Sequence, residues 1–312
     1  MHQDLSELKL ASFVYRKVIE SKGIARKCWG LVRSLLLKLL NDPCCCMDIH
    51  GRSMLLPLSH LLPLYLDSKP FYDRLPHQIS EYLMKSDGYV TAIDIGANIG
   101  DTVAAFMISD ANRFLAIEPN AHFRQYLDKN HEKSRNVVSI AVLCSSISAG
   151  TCVVVKEQFG TACIETSTDG AVMKQYTLDE IITTLPEFNQ ANVLKIDTDG
   201  YDLKILLGAR SFIERNQPAV LFECDAFSND QYLEEFFSCI SLFRECGYRS
   251  FLLYDNCGYF MGEYVLSDPG FEQFFSNLLK WQMNTRTIYF DILFFPPEKM
   301  EIFRLENLAP RQ

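Results

Sequence analysis

From residue 89 onward, short strand-like runs alternate with runs at helical spacing, and this alternation constrains the chain more than any other feature. Strand-like text at 89–95 gives way to a helical run over 99–109, then a strand at 113–118, a helix over 120–132 and a strand at 137–143. A more extended, β-rich stretch follows at 151–165. A short helix at 178–184 leads to strands at 193–197, 219–223, 250–254 and 287–295, the first three separated by helices at 201–215 and 230–246. Strands separated by helices of this length predict a parallel sheet covered on both faces. The runs at 137–143 and 219–222 are almost unbroken in apolar residues, as strands buried on both faces must be.

Composition narrows the class. The chain has 312 residues, 48% of them apolar, and a net charge of −9, which suits one large globular domain with an appendage. The acidic balance argues against nucleic-acid binding, because phosphate backbones need clustered Lys and Arg. Eleven cysteines are present. The number is odd and no pair is spaced C-x-x-C, so reduced thiols in a cytoplasmic protein are expected. Cys44–Cys46 lack partners at zinc spacing. The polar, acid-containing start (His2, Gln3, Asp4, Glu7) does not read as a signal peptide. Residues 31–40 are interrupted by Arg33 and Lys38, and 54–66 by Pro57 and Pro63, so no spanning helix is expected.

Residues 1–41 carry eight Lys/Arg against three Asp/Glu, or +5, which leaves −14 for the rest of the chain. On a helical wheel, Lys22, Arg26, Lys27, Arg33 and Lys38 share an arc of about 160°, and Ile24, Ala25, Cys28, Trp29, Leu31, Val32, Leu35, Leu36 and Leu39 are read as the opposite, apolar face, with Leu37 the misfit. This predicts a basic amphipathic helix over 22–40. Its apolar face is expected to pack on the main domain or a second subunit, with peripheral contact to an anionic membrane as the alternative. The expected organisation is a helical extension (1–46), a lead-in with a short strand and helix (47–87), the main domain (88–296) and a tail (297–312).

The segment Asp94-Ile95-Gly96-Ala97-Asn98-Ile99-Gly100-Asp101 places a glycine-rich turn between the first strand and the next helix. That is the carboxyl edge of the sheet, where open α/β sheets bind nucleotides. Glycines there admit positive φ and close approach of a ligand. Glu118 ends the next strand, where an acid accepts hydrogen bonds from ribose hydroxyls. The spacing is not G-x-G-x-x-G, and Asn98 stands where a second glycine would lie. A pyrophosphate is therefore disfavoured against a nucleoside ligand without phosphates, such as S-adenosylmethionine.

These motifs, followed by Ile117-Glu118-Pro119-Asn120, Thr177-Leu178-Asp179 and Leu194-Lys195-Ile196-Asp197-Thr198-Asp199-Gly200-Tyr201-Asp202, resemble in order those of the FkbM-type S-adenosylmethionine-dependent methyltransferases. The resemblance covers about residues 88 to 225. It implies a class I methyltransferase (Rossmann-like) fold, with a mostly parallel seven-stranded sheet and helices on both faces, and O-methylation of sugar or polyketide hydroxyls. Carried over by position, it implies a cofactor site made from Asp94, Gly96, Ala97, Asn98, Gly100 and Asp101, with Glu118 on the ribose. Ser145, after the third strand, would lie beside the adenine, and Asp197 beside the methyl group. The chain departs from the family at Asp199 and Asp202, where Glu is more usual; both changes keep the charge and shorten the reach.

Strand alternation puts Lys195 and Asp197 on one side. Asp94, Glu118, Asp197, Asp199 and Glu223 all fall at strand ends on one edge, so they are expected to converge on one crevice. A hydroxyl acceptor needs its proton removed, and Asp197 or Asp199 is the expected base. Lys195 is expected to orient or tune that carboxylate, and Glu223 to hydrogen-bond substrate. A divalent ion on Asp197, Asp199 and Glu223 is a second, less favoured arrangement. None of the six histidines is expected near the crevice.

The expected partner is a small-molecule or glycan acceptor. A homo-oligomer is compatible with the sequence. Two rival readings stay open: a nicotinamide-dependent oxidoreductase, against which position 98 speaks, and a non-catalytic scaffold, against which the intact loop speaks.

Overall fold

The computed structural model describes residues 5–158, 161–166, 171–198, 200–226 and 231–307, without side chains for 151–172. Helices α1 (Lys9–Glu20) and α2 (Gly23–Leu39) precede a hairpin of β1 (Cys44–Ile49) and β2 (Arg52–Pro57), then α3 (Leu62–Ser68) and α4 (Leu75–Ser86). Next come β3 (Thr91–Ile95), α5 (Asp101–Phe106), β4 (Arg113–Ile117), α6 (Ala121–Asn130) and β5 (Val137–Ile140). Four strands, β6 (Leu143–Cys144), β7 (Ala149–Gln158), β8 (Thr161–Thr166) and β9 (Ala171–Tyr176), form a separate sheet in the order β6-β9-β7-β8. The chain continues through α7 (Leu178–Thr184), β10 (Val193–Ile196), α8 (Asp202–Leu207), α9 (Arg210–Asn216), β11 (Ala219–Cys224) and α10 (Tyr232–Glu245). It ends with β12 (Ser250–Asp255), β13 (Phe260–Val265), α11 (Phe271–Thr285), β14 (Phe290–Phe294) and α12 (Pro297–Asn307).

The main sheet has eight strands in the order β13-β12-β14-β11-β10-β3-β4-β5. Strands β3, β4, β5, β10 and β11 run parallel, whereas β14 is antiparallel to both of its neighbours. This is the expected class I methyltransferase arrangement, with β13 returning antiparallel along β12 as an eighth strand. Chain order reverses at the β3–β10 boundary, and that reversal opens a crevice at the carboxyl edge.

Side-chain alternation divides the core into two layers. Ile93, Leu194, Ile196, Val220 and Phe222 face one layer, which includes Ile181, Phe212, Phe236 and Phe243 from the helices. Ala92, Val193, Ala219, Leu221 and Leu293 face the other, with Leu83, Val103 and Phe303 from α4, α5 and α12. Helices therefore cover both faces, which explains the near-continuous apolar strands. A third cluster joins Ala11 and Tyr15 of α1 to the β1–β2 hairpin and to Phe123 of α6.

Three local expectations change. The third strand ends at Ile140, and 143–144 joins the separate sheet. The helix expected over 201–215 is two helices. Between them, Gly208 lies so close to Ser145 that an added Cβ would stand 2.2 Å from its carbonyl oxygen. Within the expected tail, Pro297–Asn307 form α12, whose Met300 and Phe303 are buried.

The amphipathic helix α2 also sits differently from expectation. None of its residues is buried. It meets the body through Trp29, Leu36 and Leu37 and through two residues of its basic arc. Arg33 donates to the carbonyls of Leu58 and Ser59 and lies 4.5 Å from the Tyr15 ring centre. Arg26 pairs with Asp67.

Candidate active site

The loop after β3 takes three left-handed residues, Gly96 (φ 83°), Asn98 (φ 47°) and Gly100 (φ 86°). At Gly96 a Cβ would stand 1.8 Å from the Asp197 carbonyl oxygen, so the loop lies directly against the end of β10. The loop's donors are turned into the protein. Gly96 and Ala97 N–H groups donate to the Ile117 carbonyl (2.9 and 3.1 Å), and Gly100 N–H donates to Ala97 (2.7 Å). Asn98 N–H donates to Glu118 (2.8 Å). A phosphate cradle needs such donors aimed at the ligand, so this geometry suits a ligand without phosphates.

Glu118 is buried at the tip of β4. Its second oxygen accepts from Asn120 N–H (2.7 Å), and each carboxylate oxygen keeps an acceptor site for a ligand hydroxyl. Burial pushes its pKa up to about 7, against the opposing pull of the Asn120 and Asn98 N–H groups. Asp101 opens α5; burial and then the Asp73 charge push its carboxyl up to about 7.

Register explains the centre of the site. Lys195 on β10 pairs with Asp94 on β3, so both side chains project from the same face. The Lys195 ammonium lies 3.2 Å from Asp94 Oδ1 and 3.4 Å from Asp197 Oδ2. Burial opposes its charge, but Asp197, Asp94 and Asp101 hold it well above the ordinary lysine value. Burial raises the Asp94 pKa and Lys195 lowers it. Asp94 Oδ2 is buried without a hydrogen-bond donor. It is an acceptor left without a partner at the end of β3.

Beyond Lys195, a cavity of about 340 Å³ opens over β10, β11, β14 and β12. Ile196 pairs with Phe222, so Asp197 begins a transverse row that continues through Glu223, its partner Asp291, and Tyr254 beside Asp291. All four line the cavity. Burial, then the Asp197 charge, pushes Asp291 up to about 8. The opposite wall comes from the lead-in: Tyr65, Phe71, Tyr72 and Asp73, facing Tyr289. Asp73 accepts from, or pairs with, His50 Nε2 at 2.6 Å, and both residues have left-handed backbone (φ 57° and 52°).

Of the expected site residues, Lys195, Asp197 and Glu223 line the cavity; Asp94 and Gly96 lie against them, through Lys195 and the Asp197 carbonyl, and with Glu118 at the loop they are not part of its lining. Ser145 is buried after β6, its N–H donating to the Tyr176 carbonyl. Asp199 lies outside the described residues. Asp202, noted for its departure from the family, accepts from Thr198 Oγ1 (2.9 Å) and is buried. Among the described residues no group of three His, Cys, Asp or Glu side chains is arranged to hold a metal ion.

The expectation for histidines is corrected. His50 reaches the cavity wall through Asp73, and His131 Nε2 lies 2.9 Å from the Gly100 carbonyl. The residues that sequence reasoning missed are Asp73, His50, Tyr65, Tyr72, Tyr254, Tyr289 and Asp291. Asp291, the partner of Glu223, was hidden because β14 enters the sheet out of sequence order.

A profile of the methyltransferase FkbM domain matches residues 94–250, which is 157 of the 312 residues. Among solved structures, the chain is similar to methyltransferase FkbM from Methylobacillus flagellatus KT, at 15% identity over 62% of this chain and 55% of that one, with a TM-score of 0.39. It spans about half the length of that relative. It is also similar to a putative caffeoyl-CoA O-methyltransferase from Staphylococcus aureus (13% identity, 75% and 90% covered, TM-score 0.37). A third is Aeropyrum pernix fibrillarin in complex with natively bound S-adenosyl-L-methionine (14% identity, 52% and 58% covered, TM-score 0.33). No curated protein matches the chain.

Proposed function

The chain belongs to the FkbM methyltransferase family, and from that premise we propose that it is an S-adenosylmethionine-dependent O-methyltransferase acting on a hydroxyl of a sugar, glycan or glycolipid precursor. The observation that carries this reading is the position of Lys195. It bridges Asp94, at the loop suited to a nucleoside, and Asp197, at the head of the cavity.

The residues present fit the cofactor. The buried Asp94 oxygen that has no hydrogen-bond donor suits a polar, cationic group, and Glu118 offers acceptors for ribose hydroxyls. The loop from Gly96 to Gly100 turns its donors inward, as a ligand without phosphates permits. S-Adenosylmethionine, when bound, supplies a methyl group activated by its sulfonium.

The chain's own residues then have three tasks. Asp197 accepts the proton of the acceptor hydroxyl, and Lys195 fixes its orientation from below. Glu223 and Asp291 hold neighbouring hydroxyls by hydrogen bonds. Tyr65, Tyr72 and Tyr289 provide rings and hydroxyls suited to a polyhydroxylated ring, and with Phe71 they displace water from the cavity.

The test is methyl transfer from labelled S-adenosylmethionine to a panel of sugar acceptors, with Asp197→Asn alongside. Label in a sugar product that falls at least about a hundredfold in the variant, the usual range for a general base, supports the reading. Transfer to a sugar that the variant leaves intact removes Asp197 from its role. Label appearing on no hydroxyl acceptor removes the substrate class.

A further inference from the structure

Helix α2 presents its leucines to solvent. Ile24 is 81% exposed, Leu31 72%, Leu39 69% and Leu35 55%, and Cys28 is exposed as well. These five positions recur every three or four residues, so they form one stripe less than about 100° wide. A helix whose task was to complete the core would turn that stripe inward. The inward side instead carries Trp29, Leu36 and Leu37, packed on the body, together with Arg33, bonded to the carbonyls of Leu58 and Ser59, and Arg26, paired with Asp67. Three apolar residues and two arginines hold the helix to the body, and a second apolar stripe faces solvent.

The charge beside the stripe identifies what covers it. Lys27 and Lys38 are exposed along one edge. On α1, Leu10 and Phe13 are exposed too, Phe13 against Trp29 of α2 with ring centres 5.8 Å apart, and so are Lys9 and Arg16. The single acid of α1, Glu20, is paired with Lys17. We propose that this surface docks in the plane of an anionic lipid bilayer. Its leucines enter the acyl boundary, and its lysines extend to the lipid phosphates. A second copy of the chain would bring the same lysines face to face, whereas an anionic headgroup layer neutralises them. No helix among the described residues is long and apolar enough to cross a membrane, so the mode is lying on the surface.

Docking there has a consequence for the site, which rests on the proposed acceptor class. The Arg26–Asp67 pair ties α2 to α3, and α3 supplies Tyr65 to the cavity wall. An acceptor carried on a lipid would then be held at the same surface as the docked helix.

The test is flotation of the full chain with phosphatidylcholine vesicles and with vesicles that also contain phosphatidylserine, with sedimentation equilibrium in parallel. The wild type should float with the mixed vesicles and not with phosphatidylcholine alone. Leu31→Glu with Leu35→Glu should weaken binding at least about tenfold, since each leucine loses its transfer into the apolar layer. Lys27→Glu with Lys38→Glu should weaken it at least about tenfold, as expected for charges near an anionic surface. Both pairs are exposed, so an unchanged melting temperature shows that the fold is kept. Wild type that does not float, or floats equally in all variants, overturns the proposal. So does a dimer that Leu31→Glu with Leu35→Glu dissociates in the absence of vesicle binding, which assigns the stripe to a second copy. No activity is measured, so failure here is separable from failure of the methyl-transfer reading.

Discussion

Replacing Lys195 by Met removes the cation that joins the two halves of the crevice. Asp94 is 1% exposed and the Lys195 side chain 8%, whereas Asp197 is 52% exposed. The Lys195–Asp197 contact is thus open to solvent and contributes below about 1 kcal/mol. The Lys195–Asp94 contact is buried, and breaking such a pair from one side costs about 3–5 kcal/mol, because a charge is left without a partner.

The loss must depend on pH. Burial already raises the Asp94 pKa in the native protein, and Lys195 is the group that lowers it; without Lys195 it rises further. In the interval above the unfolded value, the native variant then binds more protons than the unfolded chain, so its stability falls as pH increases. Urea unfolding of Lys195→Met should show a small deficit near about pH 4 and the full deficit near about pH 8. Adding Asp94→Asn should restore stability to within about 1 kcal/mol of wild type, since no buried charge remains. A deficit below about 1 kcal/mol at the higher pH, or one that is the same across the range, refutes the buried-pair argument.

Gly96→Ala places a Cβ 1.8 Å from the Asp197 carbonyl at a φ of 83°; it should cost about 2–5 kcal/mol in denaturant unfolding, from strain and overpacking together. Gly51→Ala, at φ 74° with nothing within 4 Å, should cost about 1 kcal/mol, and equal losses would refute the close-packing account. In the wild type, Glu118, Asp101 and Asp202 are raised to about 7 and Asp291 to about 8, burial being the largest cause in each. Carboxyls raised in the folded state stabilise below their unfolded values and lose that contribution as pH rises through the folded ones. The melting temperature should therefore fall between about pH 5 and pH 8, and Glu118→Gln with Asp291→Asn should flatten the fall. Asp291→Asn alone should lower kcat/KM for the acceptor about tenfold, the upper worth of one hydrogen bond to a neutral carboxyl, and leave affinity for S-adenosylhomocysteine unchanged.

The strands and the loop were legible because each announces itself locally. Doubly buried strands are unbroken in apolar residues, and Gly96 and Gly100 stand where the backbone needs positive φ. The partnership of Lys195 with Asp94 was not legible in the same way. The two are far apart in the chain, and the pair exists because β3 and β10 are adjacent and in register. Asp291 and Tyr254 join the row with Asp197 and Glu223 for the same reason, through β14 inserting between β11 and β12. Asp73 and His50 were hidden differently. Both belong to the lead-in, and their pairing depends on two left-handed turns in residues other than glycine. For α2, the apolar face read from periodicity was too broad: Ile24, Cys28, Leu31, Leu35 and Leu39 are exposed, whereas Trp29 and Leu36 turn to the body beside Arg33, which finds two backbone carbonyls.

Calorimetric titration of the folded chain with S-adenosylhomocysteine, with NAD as the control, tests the central claim most directly. The account predicts one-to-one binding of S-adenosylhomocysteine that Glu118→Ala weakens at least about tenfold, with no heat from NAD, because the ribose hydroxyls lose a charged acceptor. Saturable binding of NAD with none of S-adenosylhomocysteine would contradict it.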